Sequence, residues 1–143
     1  MWEPVPEDFR IWTKIREGSD AVLLSVGSML KNTLEAAEIL SRHNISAAVI
    51  RVSMLKPADR AFLQSQETNI PMITIEEHMM TGGFGEYLTG LCREEGYPVP
   101  ALCIAVPDCY IPHGTHELLM RDAGLDAERI ADRVAGTIGR KKE

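Results

Sequence analysis

The sequence predicts an α/β domain in which a single sheet lies between two helical layers. Four short runs, 21–26, 47–52, 72–75 and 101–106, are apolar at nearly every position, as strands buried on both faces are. The stretches between them repeat apolar residues at helical spacing and carry Ser, Pro or Gly near their ends. Strand and helix therefore alternate, and alternation of this kind builds parallel βαβ units packed in three layers. At 143 residues, 45% of them apolar, the chain is sized for one compact domain with a real core.

Taken in order, residues 1–9 read as a linker, because Met1 to Asp8 holds two prolines and three acids without periodicity. Residues 10–143 then form the domain. Ile11 to Ile15 alternates like a short edge strand, and Gly18-Ser19-Asp20 turns the chain into the central strand, 21–26. No helix joins these two strands, so the first is free to lie antiparallel at an edge. Ser28 stands where a helix cap belongs, ahead of Leu30, Leu34, Ala37 and Leu40, with His43-Asn44 near the helix end. After the strand at 47–52, Pro57 is placed for a first helical turn leading into Ala61-Phe62-Leu63, and Asn69-Ile70-Pro71 ends that pattern. The strand at 72–75 is followed by a glycine cluster, a helix from about Gly85 to Glu95 and Gly96 as a left-handed stop. Beyond the strand at 101–106 come a short helix after Thr115, ended by Gly124, and a longer one capped by Asp126 with Ile130, Val134 and Ile138 on one side.

Charge and cysteine content exclude several functions. A net charge of -6 repels a phosphate backbone and leaves no basic stripe, so nucleic acid is not an expected partner. The basic run Arg140-Lys141-Lys142 reads as a solvated tail. Cys92, Cys103 and Cys109 have neither Cys-x-x-Cys spacing nor a paired His cluster, which points to reduced thiols rather than disulfides or zinc. No run approaches the ~20 apolar residues that span a bilayer, and the N-terminus has no signal-peptide pattern. A cytoplasmic protein without a membrane partner is the expectation.

In open α/β sheets ligands favour the carboxyl ends of the strands, which directs attention to four loops. Gly27-Ser28 offers helix N–H groups and a hydroxyl to a phosphate or carboxylate, or is simply a helix cap. The loop of Gly82, Gly83 and Gly85 is an anion nest or a tight turn that packs a helix close to the sheet; it lacks a P-loop lysine and the dinucleotide spacing. Glu76, Glu77 and His78 cluster at a strand end, but adjacent strand residues point to opposite faces, so the carboxylates cannot act as a pair. His113 and His116 flank Gly114-Thr115, with Asp108 the one further metal donor nearby, too few for a metal site. Cys109, beside Tyr110, has no base partner in sequence. Possible anion-binding or interface residues are thus Ser28, Gly82, Gly83, Gly85, His113 and Thr115, with no complete catalytic constellation and no metal site.

From about residue 20 to 138 the order of short signatures resembles the C-terminal domain of the transketolase superfamily. The run from Asp20 to Met29 is similar to that domain's opening strand and turn, Lys56-Pro57-Ala58-Asp59 to its Lys-Pro-x-Asp turn, and Thr74-Ile75-Glu76-Glu77 to its Thr-x-Glu-Glu strand end. Gly82-Gly83-Phe84-Gly85, Pro107-Asp108 with His113-Gly114-Thr115, and Gly124-Leu125-Asp126 with Ile130 resemble the 1-deoxy-D-xylulose-5-phosphate synthase branch. The resemblance implies a five-stranded, mostly parallel mixed sheet with strand 1 antiparallel. It implies that a complete enzyme would use thiamine diphosphate and Mg²⁺ to join two carbons of pyruvate to glyceraldehyde 3-phosphate with loss of CO₂, feeding isoprenoid, thiamine and pyridoxal synthesis. The family's Gly-Asp-Gly diphosphate segment and its thiazolium-activating glutamate are missing here, so no catalytic or cofactor-binding residue carries over. The implied role is assembly: docking on the thiamine-binding domains, fused or separate, and helping to form a homodimer. The competing readings are an autonomous small-anion or nucleotide-binding module using Ser28 and Gly85, and a hydrolase built on Cys109 or His113.

Overall fold

The computed structural model describes residues 7–110 and 113–141, so most of the expected linker at 1–9 and Lys142 of the basic tail lie outside the described residues. After a 3-10 turn at Glu7–Arg10, the elements run β1 Thr13–Arg16, β2 Ala21–Val26, α1 Leu30–Arg42, β3 Ala47–Val52, α2 Arg60–Gln64, β4 Met72–Met79, α3 Phe84–Glu95, β5 Leu102–Val106, α4 His116–Asp122 and α5 Ala127–Lys141. The sheet is five-stranded in the order β1-β3-β2-β4-β5. β1 lies antiparallel to β3, and every other pairing is parallel, which settles the orientation that the residue pattern alone left open.

Period-two alternation divides the core between the two faces of the sheet. Ala21, Leu23, Val49, Ile73, Ile75 and Ile104 pack with residues of α1 and α5 on one face. Leu24, Val26, Ile50, Val52 and Met72 pack with Leu63 of α2 and with Phe84, Leu88 and Leu91 of α3 on the other. Leu23, Leu24, Ile73 and Ile75 are completely buried. Each such side chain contributes about 1.5–3 kcal/mol by leaving water, so both layers are needed to seal the sheet.

Three local expectations are corrected. The first strand begins at Thr13 rather than Ile11, because the Trp12 N–H donates to Asp59 Oδ2 (2.9 Å) and its indole N–H to the Met54 carbonyl (3.0 Å), drawing that ring into the core. Ile11 is left exposed. Pro57 does not open α2; the Lys56–Pro57 peptide is cis, and Asp59 is the cap, accepting the Phe62 N–H at 3.0 Å. Ser28 does not cap α1, which is entered through a 3-10 turn, Gly27–Met29, without a side-chain cap. The expected stops hold: Gly96 and Gly124 both adopt left-handed φ, at 75° and 73°. At the end of α4 the Gly124 N–H donates to the Arg121 carbonyl and the Leu125 N–H to that of Met120, a Schellman closure.

β4 positions the candidate site. It runs on to Met79 because its ladder with β5 breaks after Ile75 and resumes only at Met79↔Val106. The residues between those two pairs bulge from the ladder at the carboxyl end of the sheet, with Glu76 and Glu77 bonded to opposite helical layers.

Candidate functional site

Glu76 turns towards α3. It is 1% exposed, and its carboxylate accepts the Phe84 N–H at 2.7 Å (Oε2) and the Gly85 N–H at 3.4 Å (Oε1). Two free N–H groups of the first turn of α3 are thus satisfied by a strand residue, and Glu86 in that turn accepts the Gly82 N–H at 2.6 Å. Three N–H groups of the glycine loop and helix start are taken by the chain's own carboxyl groups. Burial pushes the Glu76 carboxyl above the usual carboxylate range, outweighing the two N–H donors and nearby His78, which pull it down.

The glycines make this contact possible. A Cβ on Gly83 would lie 2.2 Å from Glu76 Oε1 and 2.5 Å from the Met79 carbonyl; one on Gly85 would lie 2.6 Å from Thr74 Oγ1 and 2.8 Å from Cys103 Sγ. The glycines therefore let the loop turn tightly and pack α3 close to the sheet. Gly82 has a φ of 76°, which glycine adopts without strain.

Glu77 turns to the opposite layer. The Ser28 hydroxyl donates to Oε2, and His116 Nε2 lies 3.0 Å from Oε1. The Ser28 hydroxyl holds the Glu77 carboxyl below its ordinary range, with His116 and His78 adding to the pull against partial burial. Ser28 and His116 are therefore brought together by a residue the sequence placed beside neither. His113, Gly114 and His116 line a cleft of about 330 Å³ with Glu77 over an apolar floor of Val106, Leu119 and Met120. Thr115 caps α4, with its hydroxyl 3.4 Å from the Leu118 N–H.

The remaining candidates stay apart from both clusters. Cys109 and Tyr110 are exposed, Tyr110 at 84%. Cys92 is buried in the α3 layer, where burial pushes its thiol up to about 11. Among the described residues no group of three or more His, Cys, Asp or Glu is arranged to hold a metal ion. No described helix is long and apolar enough to cross a membrane. Reading the residues alone missed the role of Glu86, although an acid in the third position of a helix is a recognised signal for closing its first turn. It also missed Asp59, which ties Trp12 to α2 over a separation of 47 residues.

Comparison with known proteins adds a family. Residues 12–130 match the model of the transketolase C-terminal domain. The 1-deoxy-D-xylulose-5-phosphate synthase of Geobacillus thermodenitrificans is 37% identical over 134 residues, covering 92% of this chain and 21% of that protein. That of Syntrophotalea carbinolica is 39% identical over 120 residues, covering 82% of this chain and 19% of that protein. The chain thus spans about a fifth of the length of these relatives. Among solved structures, one described as a split gene transketolase, inactive beta4 tetramer, aligns with a TM-score of 0.81 at 28% identity, covering 96% of this chain and 45% of that one. A transketolase of Pichia stipitis aligns with a TM-score of 0.72 at 16% identity over 95% of this chain and 19% of that one, a likeness of fold.

Proposed function

The chain belongs to the transketolase C-terminal domain family, and from that premise we propose that it is the assembly domain of a thiamine-diphosphate enzyme of the 1-deoxy-D-xylulose-5-phosphate synthase type, inactive by itself. The observation that carries this reading is the self-satisfied glycine loop. The Gly82, Phe84 and Gly85 N–H groups, which would be among those to cradle a diphosphate at the start of α3, already hold Glu86 and Glu76. In this reading thiamine diphosphate and Mg²⁺ sit on the other domains of the enzyme, and no step of the reaction passes through this chain's side chains.

What the domain would contribute is surface. Met79, Met80 and Leu118 leave 40% or more of their area exposed at the carboxyl end of the sheet, and Tyr110 more still. Large apolar groups gathered at one end of a domain are the mark of a contact surface. We place there the thiamine-binding domains, fused or separate, and assign the complete assembly to a cytoplasmic homodimer. The anion-module alternative would need the α3 turn to release its own carboxylates first, which the geometry disfavours.

The test is turnover of pyruvate and glyceraldehyde 3-phosphate with thiamine diphosphate and Mg²⁺. It is run with this chain alone and then with a protein supplying the thiamine-binding domains, while complex formation is followed by size-exclusion chromatography with light scattering. A complex that turns over only when both parts are present is the expected result. Turnover by this chain alone, or the lack of any complex, would overturn the proposal.

A further inference from the structure

We propose that α4 is a latch on the carboxyl end of the sheet, held shut by the Glu77–His116 contact and the Met120 side chain, and able to open while the rest of the domain stays folded. The inference concerns this chain alone and does not depend on the functional reading above.

The first observation is how little seats the helix. α4 is 7 residues long and buries only Met120, whereas α1 buries Thr33, Ala36, Ala37 and Leu40. Helices shorter than about 12 residues are marginal without tertiary support, so α4 depends on its few anchors. Leu118, two positions from Met120, is 52% exposed and adds little to that support.

The second is that the helix has clefts on both sides. The cleft of about 330 Å³ runs between α4 and the ends of β4 and β5, lined by Val106 and Glu77. Another, of about 390 Å³, runs between α4 and α1, lined by Ser28, Lys31 and Asn32. His116 and Met120 line both, so these two side chains form the wall that separates them. Moving α4 outward removes that wall and joins the clefts into one groove.

The third is that firm anchorage resumes at a defined point. Leu125 is fully buried and its carbonyl accepts the Asn32 side-chain N–H at 2.9 Å. From there α5 packs into the core through Ile130, Ala131 and Val134. Gly124, between α4 and Leu125, has a φ of 73°, and the Leu125 N–H bonds the Met120 carbonyl across it, so the helix opens from its His116 end toward this tethered stop. Glu77 is itself held from the other side by Ser28, so the pin on His116 is a positioned carboxylate rather than a free one.

Local opening of this kind is read by amide hydrogen exchange on the full chain, with segments of α4 resolved from those of α5. The amides of Leu119 to Ala123 are expected to exchange at least about tenfold faster than those of Ala131 to Val134. His116→Ala and Glu77→Gln should each speed α4 exchange by about two- to fivefold, the range of an exposed polar contact, and leave α5 unchanged. Met120→Ala should speed it further, again without spreading to α5. Exchange of α4 at the same rate as α5 overturns the proposal. So does insensitivity of α4 to both polar variants, or a response shared equally by α5, which would report global unfolding instead.

Discussion

Replacing Glu76 by alanine tests the central contact of the site. The substitution strands the buried Phe84 N–H, now bonded at 2.7 Å, and the more weakly bonded Gly85 N–H at 3.4 Å. A buried donor left unpaired costs about 1–3 kcal/mol, so one strong and one weak loss sum to about 2–4 kcal/mol. For a chain of this size that lowers Tm by about 6–15 °C, measured by circular dichroism at neutral pH. Glu76→Gln keeps an acceptor oxygen for the Phe84 N–H and should cost less, about 1 kcal/mol, because the amide NH₂ replaces the oxygen that faces the Gly85 N–H. The pH dependence follows from the sign of the shift. Burial raises the Glu76 carboxyl in the folded state, so folding favours its protonated form. Its contribution is fully present below the ordinary carboxyl value of about 4.3 and is lost as pH rises through the raised folded value. The stability advantage of the natural chain over Glu76→Gln should therefore shrink with rising pH across that window. A Glu76→Ala Tm within about 1 °C of the natural chain would refute the capping role. An advantage over Gln that grows with pH would refute the dominance of burial.

Three further outcomes follow from the same contacts. Gly83→Ala and Gly85→Ala push a methyl into the Met79 carbonyl and the Thr74–Cys103 pair, and each should lose about 1–3 kcal/mol in chemical denaturation. Asp59→Ala removes the acceptor shared by Trp12 and Phe62, costing about 1–3 kcal/mol and shifting the Trp12 emission to the red in a Trp2→Phe background. With its thiol pushed up to about 11 and its side chain buried, Cys92 should resist alkylation in the native chain at neutral pH and react on unfolding, while exposed Cys109 is modified first, as peptide mass spectrometry would show.

The parts of the fold that could be read from the sequence are those written in local pattern. The four apolar runs became β2 to β5, and Gly96 and Gly124 became left-handed stops because positive φ is a property of the residue itself. What local pattern could not carry were contacts decided by which helix covers which face. Ser28 reads locally as a cap, yet its hydroxyl goes to a carboxylate 49 residues away. Ile11 reads as the start of a strand until Asp59, far along the chain, takes the Trp12 N–H. At the glycine loop the contact with Glu76 could not be read locally, because it required knowing that α3 lies on the Glu76 side of the sheet.

That last point bears on what the domain is for. Adjacent residues on β4 send one carboxylate to each layer, so the strand end is fastened on one side to α3 by Glu76 and on the other to the α1 turn and α4 by Glu77. The two fastenings differ in strength for a physical reason. Glu76 is buried and bonded to backbone N–H groups, where losing a partner is costly, whereas the side chains of Glu77 and His116 are 31% and 71% exposed and water competes for their contact. A strand end held firmly on one side and loosely on the other can present Met79 and Met80 on a rigid base while the opposite helix adjusts. Such an arrangement suits a surface that must meet another folded body better than it suits a pocket that must hold a small ion in fixed geometry. The two adjacent carboxylates, which strand alternation already keeps from acting as a pair, are thus two fasteners of unequal strength.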